Sequence, residues 1–404
     1  MIKYLITSLP MLVCLFWSAV LWMDWREQRS VAKLRLMAFS ITAALLYMGH
    51  YVYFNHEYEL IPVTDTIYCM ANLMVFPLYH LYINEVTQPR WNRMLQLYTA
   101  LPAIIVGAVV GTAYILMSSE EQACFIDSYL YGGNCAYSNT VISMQAVTHS
   151  IAKIIFAIQV ISILTIGYKK IVLFDEMVEN CYSETDQRTL RRVKVVLGVF
   201  VVASILSFIA NIIGRNHFSD TGYPVAIPSI LYSSLLFTLL YLGHKQDFTI
   251  SELINENGDE DFVRNATLPN GASAYENENK SDGESESGRS SAVVQQITKD
   301  IEELMQQEKI YLQPDLRIND LAERLHTNRE YIYQAINLNK HVSFAEYINR
   351  QRIEYAQKLL KANPTTPSTE IYLKAGFTSQ ASFFRNFKLY AHMTPKEYVQ
   401  VHAL

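Results

Sequence analysis

Gly376–Tyr398, GFTSQASFFRNFKLYAHMTPKEY, is the stretch on which the fold turns. Gly376 and Phe377 end one helix and turn the chain. Ser379 is placed to N-cap the next, its hydroxyl accepting from a first-turn amide. Phe383, Phe384 and Phe387 follow as an apolar stripe at spacings of three and four. Gln380, Ala381, Arg385 and Lys388 fall on the other side, donors and small surface suited to a DNA groove. Pro395 opens a last short helix with Tyr398 and Val399 inward. Alone, the pattern fits an ordinary amphipathic helix equally well. Its upstream partner separates the two readings.

That partner begins near residue 293. An amphipathic helix carries Ile297, Ile301, Leu304 and Met305 on one stripe. A short helix over 318–325 buries Ile318, Leu321, Ala322 and Leu325. A second starts at Thr327 or Asn328, where Thr327 and Glu330 fit a capping box. Ile332, Ala335 and Ile336 would bury, leaving Arg329, Glu330, Tyr333 and Gln334 outward. The long helix 343–361 and a helix over 368–375 lead back to the opening stretch. Two helix-turn-helix units are thus joined by one stiff helix.

At DLAERLHTNREYIYQAI, SFAEYINRQRIEYAQKLL and EIYLKAGFTSQASFFRNFKLYAHMTPKEY the chain resembles the DNA-binding domain of the AraC/XylS family of bacterial transcription regulators, over about 300–400. His341 and His392 stand where that family usually has Gly. The resemblance implies two recognition helices in successive major grooves on one DNA face. It carries contact roles onto Arg329, Glu330, Tyr333 and Gln334 in the first helix. In the second it carries them onto Ser379, Gln380, Ala381 and Arg385, with Lys388 on phosphate. Residues 338–404 hold nine Lys/Arg against four Glu, a net of +5 that agrees with a DNA partner.

The 404 residues allow two or three domains. Half are hydrophobic and 18% charged, unusual values for a soluble protein. The long apolar runs lie within 1–244, an acidic linker over 245–292, and the soluble helical domain over 293–404. The expected fold is all-α: a seven-helix membrane bundle plus the double helix-turn-helix domain. Five cysteines are too few for a disulfide framework.

Seven segments approach the roughly 20 apolar residues that cross a bilayer: near 4–23, 36–54, 62–83, 95–117, 140–168, 195–214 and 224–243. The first, third and fifth loops carry four, two and six Lys/Arg, against only Lys3 and Arg215 on the other side. That bias puts the odd loops and the C-terminus in the cytoplasm and the N-terminus outside. The expected location is a bacterial inner membrane, with the lipid bilayer and double-stranded DNA as partners.

The loop 118–139 falls outside, where Cys124 and Cys135 could form a disulfide. Polar residues at membrane depth point to a site. Gln145, His149 and Lys153 share one face of the fifth span, with Asp65 in the third as a partner. One reading is a polar cavity in which Lys153 meets an anionic ligand. The other is a Lys153–Asp65 ion pair that only holds helices together. No catalytic fingerprint is present, and no enzyme activity, cofactor or metal is expected.

Residues 251–290 hold ten acidic against three basic side chains, a net of -7 that reads as a disordered tether. The leading expectation is a one-piece membrane regulator that reads promoter DNA under control of an unidentified signal ligand. A homodimer, and RNA polymerase if it activates, would be further partners. The rival reading is a transporter or membrane enzyme with an appended regulatory tail.

Overall fold

The structure is a computed structural model describing residues 2–88, 93–135, 140–186, 188–213, 222–257, 285–338 and 340–402. These residues form helices and connecting turns, with no strand among them. The chain divides into two compact units: Met1–Ile171 with Leu190–Asp247, and Val172–Thr189 with Phe248–Leu404.

The first unit contains α1 (Ile2–Gln28), α2 (Val31–Phe54), α3 (Ile61–Thr87), α4 (Arg93–Leu116), the short α5 (Ser119–Phe125), α6 (Thr140–Cys181), α7 (Arg191–Ile213) and α8 (Gly222–His244). Six of these are long and apolar enough to cross a membrane: α1 to α4, α6 and α8. The expected span 195–214 falls on α7, its last residue lying outside the described residues. Ile154, Ile158 and Ile161 of α6 and Ile104, Ile105 and Ile115 of α4 are exposed. Such an apolar exterior suits lipid and not water. Inside, Leu73, Ala103, Val106, Val110, Ala113 and Phe125 share one core.

The ends of α1, α2 and α8 meet. Buried Lys33 donates to the Asp247 carboxylate at 2.9 Å, and Asp24 pairs with His244. At the opposite ends, the Tyr53 hydroxyl donates to the Leu130 carbonyl and Tyr131 to the Tyr53 carbonyl. Cys124 and Cys135 are joined there by a disulfide.

α6 departs from the expected span 140–168. Its 42 residues make a helix about 63 Å long at 1.5 Å per residue. That is twice the ~30 Å of a hydrocarbon core. The sequence pattern marked only the apolar part. The polar extension belongs to the second unit.

That unit adds α9 (Ile250–Asn257), α10 (Ser285–Gln307), α11 (Ile318–Arg324), α12 (Arg329–Tyr333, continued by a wider turn over Gln334–Leu338), α13 (Phe344–Ala362), α14 (Ser368–Lys374), α15 (Gln380–Ala391) and α16 (Pro395–His402). The expected tether 245–292 is therefore partly helical. In α9, Ile250 and Leu253 are buried, and Glu256 accepts from the Tyr182 hydroxyl at 2.9 Å. Two buried apolar residues, and the pairing of Glu256 with Arg317 at 3.2 Å, order a segment whose acidity suggested disorder. Residues 258–284 lie outside the described residues. α10 begins at Ser285, ahead of the expected 293.

Asn328, and not the expected Thr327, caps α12: its side chain accepts from the Glu330 amide at 3.1 Å. Ser379 caps α15 as expected, through the Ser382 amide. His341 and His392 have φ of 55° and 57°, a left-handed conformation that explains the family's glycines there. Gly376 has φ +81°, and a Cβ on it would lie 2.6 Å from the Leu312 carbonyl oxygen. Gly376→Ala is therefore expected to destabilise this unit by at least about 2 kcal/mol. Thermal unfolding of the purified chain would measure it.

Candidate functional sites

In the second helix-turn-helix unit, Phe377, Phe383, Phe387 and Tyr398 are buried. Their rings meet in sequence at 5.5–5.6 Å, all tilted or edge-on. This stack fixes α15 against α14 and α16, so Gln380, Ala381, Arg385 and Lys388 face outward and are exposed. In the first unit, Ile332, Ala335 and Ile336 are buried. Arg329, Glu330, Tyr333 and Gln334 lie half-buried, with Gln334 donating to Glu330 at 3.2 Å. The second set is thus outward as the periodicity expects, and the first only in part.

The sequence did not suggest what borders those faces. Val172–Thr189 carries Asp175, Glu176, Glu179, Glu184 and Asp186 against Arg188 alone, a net of -4. At α12, the Asn337 side chain donates to Asn180 at 2.6 Å. Burial, then the carboxylates of Glu330 and Glu176, push the Tyr333 phenol above its usual range. At α15, Arg385 is ion-paired with Asp186. The Glu184 carboxyl interacts with the Ser382 hydroxyl and the Thr378 amide. Carboxylates thus stand against the side chains and the helix N-terminus that DNA phosphates would approach.

Arg352 of α13 anchors this arrangement and was missed in the sequence as one more cation. It is fully buried. Its guanidinium donates to the carbonyls of Tyr311 at 2.7 Å and Gln313 at 2.8 Å, to Ser183 Oγ at 3.2 Å and to Glu184 Oε1 at 3.3 Å. Burial lowers it to about 10, so it stays charged at neutral pH. Burial pushes the Glu184 carboxyl up, opposed by the Arg352 charge. Nearby, Asn349 donates to the Ser183 carbonyl at 2.9 Å. Arg188 forms a two-pronged pair with Asp315 at 2.6 and 2.9 Å.

In the bundle, three of the four expected polar residues converge. Asp65 Oδ2 lies 2.9 Å from His149 Nε2 and accepts from the Tyr114 hydroxyl at 2.9 Å. Gln145 is fully buried. Lys153 departs from the expectation: it is exposed, and its ammonium lies 5.8 Å from the Tyr129 ring. Asp65 is paired by His149, so the expected Lys153–Asp65 bond is replaced. One turn separates His149 from Lys153, and the ring reaches inward where the long stem runs out to the surface.

The two helix-turn-helix units are joined by one helix, α13. Residues 321–400 match the family described as a helix-turn-helix domain, here of the AraC type. Over 90 residues the chain is 33% identical to uncharacterised HTH-type transcriptional regulators of Staphylococcus aureus strains MSSA476 and N315, covering 22% of this chain and 12% of theirs. It is 34% identical over 83 residues to the Msm operon regulatory protein of Streptococcus mutans, covering 20% of this chain and 30% of that one. The matched part thus spans under a third of each of these relatives. No solved structure matches the chain. The C-terminal domain is thus similar to the helix-turn-helix part of these regulators, and the N-terminal region adds helices able to cross a membrane.

Proposed function

We propose that the chain is a membrane-embedded, one-component transcription regulator, and that its acidic segment Val172–Thr189 holds the DNA-reading surface closed in the state described here. One observation carries this reading. Arg385, the residue best placed to contact a base, is ion-paired with Asp186 of that segment. The same segment reaches α12 through Asn180 and Asn337. A duplex and this segment compete for the same groups.

The topology supports cytoplasmic placement in a bacterial inner membrane. Contact between the ends of α1 and α8 through Asp24 and His244 requires an even number of crossings between them. The membrane-capable helices α2, α3, α4, α6 and α8, with α7 crossing as the span expected at 195–214, would supply that number. The C-terminus then shares the side of the Arg-rich first loop, the cytoplasm. A signal acting on the bundle would reach DNA through α6, one continuous helix from the buried His149 to the docked Asn180.

The test is operator binding by the full chain in nanodiscs, using promoter fragments recovered by genome-wide occupancy. Arg385→Ala is expected to cost roughly 1–3 kcal/mol and to relax preference at one base pair. Lys388→Ala should weaken all sequences alike and reduce the salt slope by about one. Undiminished operator binding by Arg385→Ala would remove α15 as the reading helix.

A further inference from the structure

We propose that Asp65, Cys69 and His149 form a binding site for one divalent transition-metal ion of the zinc class inside the helix bundle. Asp65 and Cys69 are one turn apart on α3, and Gln145 and His149 one turn apart on α6. Each pair therefore shares a helix face. The Asp65 oxygen, Cys69 sulfur and His149 nitrogen lie within 4.8 Å of one another, and all three residues are buried. Tetrahedral ligands at 2.0–2.3 Å from zinc stand roughly 3.3–3.7 Å apart, so closing the site needs shifts of about 1 Å or less.

The surroundings already have the form of a metal's outer shell. His149 Nδ1 donates to the Gln145 carbonyl at 2.9 Å, which turns Nε2 toward Asp65. The Tyr114 hydroxyl holds the Asp65 carboxylate at 2.9 Å. Such partners orient ligands and fix the imidazole tautomer. Gln145 supplies an independent sign. It is fully buried, its side chain lies at the Tyr114 hydroxyl, and its amide atoms make no well-formed hydrogen bond. A buried amide in that condition calls for a partner.

Charge favours the ion. A thiolate, a carboxylate and a neutral imidazole around one divalent ion sum to zero, so no uncompensated charge is left in the apolar interior. A thiolate–imidazole–carboxylate set selects zinc-like ions over magnesium and calcium, which take oxygen ligands. If the bundle senses a signal, as proposed above, this is that signal's chemical class; the binding itself stands apart from that reading.

The experiment titrates cobalt(II) into the full chain in nanodiscs. The expected result is one ion per chain, a thiolate-to-cobalt charge-transfer band, and displacement by zinc(II). Apparent affinity should rise with pH, because the Cys69 thiol gives up its proton to become a ligand. The band should vanish in Cys69→Ser, a near-isosteric change, and in His149→Ala, with monodisperse elution confirming folded protein. Absence of binding by the wild type overturns the proposal. So does a band or stoichiometry that persists in both variants. Operator binding by the same wild-type preparation reports separately on the regulator reading, so either claim can fail alone.

Discussion

Arg352→Ala is expected to lower the stability of the C-terminal unit by about 3–5 kcal/mol, the range for breaking a buried ion pair from one side. Two carbonyls, one hydroxyl and the Glu184 carboxylate lose their donor together. Glu184, itself buried, is left without its main countercharge, and the side-chain volume leaves a cavity. Part of the loss is relieved if the turn Ser183–Thr189 opens and water reaches Glu184. The variant should therefore both melt earlier and release the segment. Denaturant unfolding followed at the C-terminal unit measures the first effect. Arg352→Lys should recover little, since one ammonium cannot reach partners that lie in several directions.

The second large effect concerns affinity. Asp186→Lys replaces attraction to Arg385 by repulsion while leaving the buried Arg352–Glu184 pair intact. Converting one exposed ion pair into a like-charge contact shifts the docking equilibrium by roughly 1.4 kcal/mol or more, about tenfold in population. Specific operator affinity of the full chain should rise by a similar factor. A lysine added elsewhere also attracts phosphate, so Glu303→Lys on exposed α10 serves as the charge control. It should strengthen operator and random DNA alike, whereas Asp186→Lys should raise their ratio.

Where local sequence and tertiary structure agree, the fold was legible. The Phe383–Phe387 stripe, the Ser379 cap and the Gly376 turn each follow from spacing and backbone chemistry within a dozen residues. The apolar runs gave the membrane-capable helices for the same reason. What escaped depends on contacts between distant segments. Arg352 and Glu184 are 168 positions apart, and neither has a neighbour that betrays its burial. Asp65 and Cys69 are separated from His149 by about 80 positions, so no metal-ligand spacing was visible. Lys153 looked central because helical periodicity gives a face but not the length of the side chain on it. The end of α6 was cut at residue 168 because hydropathy marks where lipid stops, not where the helix does.

The central claim is that the acidic segment and DNA occupy the same surface in turn. Hydrogen exchange at Ser183 tests it most directly, because that amide donates to the Leu316 carbonyl at 3.0 Å only while the segment is docked. On adding saturating operator DNA to the full chain, the account predicts faster exchange at Ser183 together with protection of α15. Unchanged or slower exchange at Ser183 in the DNA complex would contradict it.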